Sequence, residues 1–126
     1  MVVKNVKLTA LAGLPLVKAG DDLGALLIAA LRQMQIELQN KDVLVVAQKV
    51  VSKAEGRFVD LKTVLPSPRA HALSLEVNKD PRLVEVILSE SQEVLRQRRD
   101  VLIVVHRLGF ITANAGVDQS NVAGED

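Results

Sequence analysis

The sequence has no cysteine, tryptophan or tyrosine, and Phe58 and Phe110 are its only aromatic residues. Without thiols it can form no disulfide, thiolate nucleophile, iron–sulfur cluster or thiolate zinc site, which suits a reducing compartment. Two phenyl rings cannot build the stacking platform that single-stranded nucleic acid usually requires. A dominant charge is missing too. Sixteen basic and 15 acidic side chains leave a net charge of +1, so no whole-chain field steers it to polynucleotide or anionic lipid. The longest apolar runs, such as Val101–Val105, are far too short to cross a bilayer. The start, Met1-Val-Val-Lys-Asn-Val-Lys7, has no signal-peptide pattern. The expectation is a soluble, cytoplasmic chain with neither membrane nor nucleic acid as partner. Also missing are the Gly-x-x-x-x-Gly-Lys-Ser/Thr phosphate loop, the Gly-x-Gly-x-x-Gly fingerprint and the His-Glu-x-x-His zinc motif.

What is present reads as one mixed α/β domain over 1–126, a compact sheet with amphipathic helices. The hydrophobic fraction of 48% is ample for a core, and that core must be aliphatic. Val2–Leu11 reads as a first strand, broken by Ala12-Gly-Leu-Pro-Leu16. Asp21 or Asp22 caps a helix whose apolar positions run from Leu23 to Leu38 at helical spacing and stop at Asn40-Lys-Asp42. Val43–Ala47 is continuously apolar and β-branched, as in a central strand covered on both faces. Ser67-Pro68 and Asp80-Pro81 are cap-plus-proline helix starts. Val101–Val105 is a second buried strand, and Leu108-Gly109 turns it into Phe110–Ala113, a hairpin. His71 and His106 stand apart from other ligand-type residues and read as surface or strand histidines.

Chemistry is concentrated in two polar segments, Gln48–Arg57 and Asn114–Asn121. The first follows a strand-like run, where open α/β sheets commonly hold ligands. Lys53 can place a compact charge on a phosphate, with Ser52 and amides near Gly56 as neutral donors and Glu55 as an orienting partner. A solvated loop with a Lys–Glu pair is the plainer reading. In the second segment Asp118 offers the hard oxygen that Mg²⁺ or Mn²⁺ prefers, beside Asn114, Ser120 and Asn121, although the same residue types form ordinary turns. Arg96, Arg98 and Arg99 form a third cluster, able to grip an anion or to serve as a solvated rim.

Taken in order, Ala12-Gly-Leu-Pro-Leu-Val17, Gly20-Asp-Asp-Leu23, Asp42-Val-Leu-Val-Val46, Val51-Ser-Lys-Ala-Glu-Gly-Arg57 and Asn114-Ala-Gly-Val-Asp-Gln-Ser-Asn121 resemble the coenzyme F420-0:gamma-glutamyl ligase family. The resemblance runs from the first strand to the last residue. It implies GTP- and divalent-metal-dependent joining of L-glutamate to the carboxylate of the coenzyme F420 precursor, by way of an acyl phosphate that the glutamate amine attacks. It implies that Leu14, Pro15, Leu16 and Val17 line the nucleotide, that Lys53 and Asn121 contact it, and that Asp118 binds Mg²⁺ or Mn²⁺. Gln48 and Lys49 stand where some members carry a Ser-Thr pair touching the nucleotide. Lys49 replaces a small hydroxyl with a long cation.

Members of the family continue past the Asp118 segment into a later half with a second acidic metal-binding motif, an Asp-Thr pair. Residues 1–126 therefore correspond to the amino-terminal portion, with the carboxy-terminal half absent. The chain is expected to form a homodimer and to need that half for catalysis, whether as a fragment or as one part of a split protein. The alternative is a non-catalytic nucleotide-binding or assembly module of the same fold.

Overall fold

A computed structural model describes residues 4–119. The chain divides into two compact units, Met1–Phe58 and Val59–Asp126. The first holds helices α1, Leu23–Gln33, and α2, Gln48–Ala54. Asp22 caps α1, its Oδ1 accepting from Ala25 N–H at 2.9 Å, as the sequence implies. The helix stops earlier than its apolar spacing suggests. Gln35 adopts φ +54°, Ile36 N–H turns back to Leu31 C=O, and Gln35 N–H turns back to Arg32 C=O. These two bonds form a Schellman ending, which satisfies the last carbonyls without glycine. Ala30 and Leu31 are the buried residues of this helix. Asn40-Lys-Asp42 is a separate turn beyond it, with Asp42 Oδ2 accepting from Gln39 N–H.

Two expected strands do not form. Val43–Ala47 is non-regular and largely exposed, with Val43 at 81% and Val45 at 89%. The described part of Val2–Leu11 is likewise non-regular, with Val6 and Leu8 exposed. Apolar, β-branched composition expresses a preference for a covered pleat, but a strand also needs a neighbour for its N–H and C=O groups. Among the described residues neither segment has one.

In the second unit a 3₁₀ turn, Leu61–Thr63, precedes α3, Pro68–Val77, and α4, Pro81–Ser89. Three antiparallel strands follow: β1, Ser91–Arg98; β2, Val101–His106; and β3, Ile111–Ala113, in the order β1-β2-β3. Both cap-plus-proline starts are present. Ser67 Oγ accepts from Ala70 N–H and donates to Glu85 Oε2 at 2.6 Å, tying the head of α3 to α4. That hydroxyl and the Ser67 N–H lower the Glu85 carboxyl below its usual range. Asp80 caps α4 and is clamped by Arg82, with Nη2 at 2.6 Å from Oδ2, which holds its carboxyl down at about 2.

β2 is a strand as expected, but only one of its faces is covered. Leu102, Val104 and His106 are buried, while Val101, Ile103 and Val105 are half-buried on the other side. The buried face packs with Ala70, Leu73 and Val77 of α3 and with Val84 and Ile87 of α4. This is a two-layer arrangement, helices on one face of a sheet. β1 is the strand the sequence pattern misses. Its Ser-Gln-Glu-Val-Leu-Arg-Gln-Arg stretch is polar because it lies at the sheet edge, and two register shifts interrupt its alternation. The β1–β2 turn is pinned to the end of α3, where Asp100 N–H meets Val77 C=O and Asn78 Nδ2 meets Asp100 Oδ1. No helix among the described residues is long and apolar enough to cross a membrane.

Candidate functional site

In the first unit the loop containing Leu14, Pro15, Leu16 and Val17 runs between the carboxyl ends of the two helices. At its start, Ala12 N–H approaches Met34 Sδ at 3.2 Å. Gly13 has φ +78°, and a Cβ there would lie 3.1 Å from Gln33 Oε1. At its end, Gly20 N–H donates to Ala54 C=O at 2.9 Å, and Asp21 Oδ2 accepts from Lys18 N–H at 2.7 Å. Gly56, with φ +64°, leaves 3.3 Å between Ala19 Cβ and the place where its own Cβ would stand. Side chains at Gly13 and Gly56 would crowd the loop from both ends.

The loop is thereby held against the last turn of α2, the turn that carries Lys53. Lys49 and Lys53 are four residues apart, so they share one flank of that helix. Both are half-buried, and Gln48 Nε2 donates to Ser52 Oγ at 3.3 Å on the neighbouring flank. Leu14, Pro15 and Leu16 are exposed and Val17 is half-buried. The structure thus joins the end of the loop, at Ala19 and Gly20, to the end of α2 at Ala54 and Gly56. Gly13, which marks a break after the first segment in sequence, and Gly20 both take positive φ and bracket the loop; what the sequence does not show is the pairing of Gly20 with Ala54.

In the second unit β3 runs into Asn114–Gly116, a 3₁₀ turn in which three successive residues are left-handed: Asn114 and Ala115 at φ +52° and Gly116 at +73°. Left-handed backbone is costly for alanine. Ala115 is nonetheless fixed there, because its methyl is buried with Val84 and Ile87 in the core. Val117 N–H closes the turn on Asn114 C=O at 2.8 Å. Asn114 Oδ1 is buried and lacks a hydrogen-bond donor among the described residues. Two residues beyond the turn, Asp118 is exposed. Ser120 and Asn121 lie outside the described residues.

A divalent ion of the Mg²⁺ type wants about six oxygen ligands, several of them anionic or water. No group of three histidine, aspartate, glutamate or cysteine side chains is placed to hold a metal among the described residues. Asp118 alone does not fit a complete site. Arg96 and Arg98 lie exposed on β1 and Arg99 in the following turn, where Arg99 Nε is 3.8 Å from Asp100 Oδ2. They form a charged sheet edge, an arrangement that discourages strand addition.

Fold and sites together define a mixed α/β protein with a glycine-bracketed loop packed on a cation-bearing helix and a strained turn before a carboxylate. Comparison with known proteins gives that class a family. The family model for F420-0:Gamma-glutamyl ligase matches residues 13–126, and the chain belongs to that family. It is 44% identical over 118 residues to Coenzyme F420:L-glutamate ligase of Methanothermobacter thermautotrophicus, covering 94% of this chain and 47% of the relative. The protein of the same name from Methanopyrus kandleri is 46% identical over 105 residues, 83% of this chain and 40% of the relative. That of Natronomonas pharaonis is 43% identical over 123 residues, 93% and 46%. The chain spans less than half the length of each of these three relatives.

Proposed function

We propose that this chain carries the nucleotide-proximal part of a ligase that joins L-glutamate to the coenzyme F420 precursor with GTP. The observation that carries this reading is the family match over residues 13–126, which takes in both polar segments. The relatives are named for that ligation. In this reading the precursor's carboxylate takes the terminal phosphoryl group of GTP, giving an acyl phosphate and GDP. The glutamate amine then attacks the acyl carbon, forms the amide and expels phosphate. Lys53 pairs with the nucleotide phosphates, where an ammonium stabilises charge developing in the transition state. Leu14, Pro15, Leu16, Val17, Gln48 and Asn121 line the nucleotide, and Lys49 lies at its margin. Asp118 contributes one oxygen ligand to a Mg²⁺ or Mn²⁺ site whose remaining ligands come from outside residues 4–119.

The glycine-bracketed loop supports this assignment physically. Gly20 and Gly56 hold its end against the helix turn that bears Lys53, while Gly13 sits beside Gln33 of α1, so backbone and ammonium can meet one ligand together. Assembly as a homodimer, and with the polypeptide corresponding to the rest of a relative's length, belongs to the same proposal.

GTP titration in Mn²⁺ tests it, with the chain alone and with that remaining polypeptide co-expressed. We expect GTP-dependent amide formation only in the complete assembly. Nucleotide binding there without ligation would favour the non-catalytic module. Loss of neither binding nor metal dependence on Asp118→Asn would remove Asp118 from the site.

A further inference from the structure

His106 ends β2 in a buried position, with one ring nitrogen hydrogen-bonded and the other facing a carboxylate. Its Nδ1 accepts a hydrogen bond from Leu108 N–H at 3.1 Å. Its Nε2 faces Glu90 Oε2 at 3.6 Å, and the same oxygen accepts from Arg107 Nε at 2.7 Å. The ring stacks on Phe110, with centroids 4.5 Å apart and planes inclined by 11°. Around it the backbone turn is closed by Gly109 N–H to His106 C=O at 2.7 Å and His106 N–H to Phe110 C=O at 2.8 Å.

A nitrogen that accepts from an N–H carries no proton, so the imidazole is neutral with its hydrogen on Nε2, toward Glu90. Protonation would add an N–H at Nδ1. Two donors would then face each other, and the bond to Leu108 would be lost.

We propose that the β2–β3 turn is a proton-sensitive latch: neutral His106 ties Leu108 into the turn, and the imidazolium releases it. The charged groups facing the ring are Glu90, from the end of α4, and Arg107, from the turn itself. Across the sheet its β1 partner is Ser91, which is uncharged. Glu90 Oε2 is shared between the ring and Arg107, so the ring keeps a carboxylate neighbour after Leu108 is released. The released element is the entry to β3, which leads directly into the left-handed Asn114–Gly116 turn and Asp118. Acidification therefore loosens the start of the segment that presents the exposed carboxylate. This latch is independent of the ligase reading.

The test is amide hydrogen exchange by NMR on the intact 126-residue chain, between about pH 8 and about pH 5, where histidine ordinarily changes charge. Rates are divided by those of unstructured peptide at each pH. We expect protection at Leu108 to fall about fivefold as the His106 ring nitrogens titrate, the loss of one ordinary hydrogen bond. Leu102 and Val104 should keep their protection. His106→Phe retains an aromatic stack but neither the acceptor nor the titration, so its Leu108 amide should exchange fast at both pH values. Unchanged Leu108 protection across the ring titration would overturn the latch, as would a ring that stays neutral throughout or carries its proton on Nδ1. Should His106→Phe not fold, Glu90→Gln gives the second measurement. In that variant too the Leu108 amide must lose protection together with the ring titration, and protection that stays unchanged through it also overturns the proposal.

Discussion

Val43-Leu-Val-Val46 and Val101-Leu-Ile-Val-Val105 are nearly the same kind of sequence, yet one is exposed non-regular chain and the other the middle strand of a sheet. Their difference is in their neighbours. β2 is flanked in sequence by β1 and β3, each a short turn away, so its ladder closes locally and its inner face meets α3 and α4. The Val43 run lies between a turn and a seven-residue helix and finds no ladder among the described residues of its unit. Hydrophobicity marks a segment as wanting cover, and hydrogen-bonding partners decide whether it becomes a strand.

The sharpest way to break this comparison is to truncate one side chain in each run. Leu102→Ala, at a site 1% exposed, should cost about 2–5 kcal/mol in urea denaturation. Val45→Ala, at 89% exposure, should stay within about 0.5 kcal/mol. Equal losses would mean that the Val43 run is covered in solution. Next in size, Lys53→Ala should weaken GTP binding in a complete assembly by about 1.5–3 kcal/mol, the range for hydrogen bonds to charged groups. Lys49→Ala should cost less, and equal effects would mean a diffuse basic flank in place of a specific contact.

A smaller effect, and a gain, is expected in α1. Gln35 occupies the left-handed position of the Schellman ending, so Gln35→Gly should stabilise by about 0.5–1 kcal/mol, seen as a raised denaturation midpoint. The smallest is a pH effect in the second unit. Asp80 is held down from 3.8 to about 2, so its contribution is complete above the unfolded value and is lost as pH falls from 3.8 through about 2. Acid titration of stability in Asp80→Asn should lack that part of the wild-type slope.

The second unit was the more legible in sequence because its signals are local. Ser67-Pro68 and Asp80-Pro81 act within one helical turn, and Leu108-Gly109 within one hairpin. β1 escaped because an edge strand with register shifts carries charge where alternation would place apolar residues. The early end of α1 escaped because a glutamine, not a glycine, takes the left-handed position. At the candidate sites the residue types were readable, but their setting was not. The positive φ at Ala115 follows from a methyl held in the core, and the junction of the loop's end with α2 depends on contacts at Gly20 and Gly56.

The sheet order also sets how this unit reaches its fold. Every strand neighbour is the next strand in the chain, and α3 packs on the helix that follows it. Closing such short loops costs little chain entropy, and topologies dominated by near-sequence contacts are the fast folders. The helical pair and the meander can therefore form as each successive element leaves the ribosome.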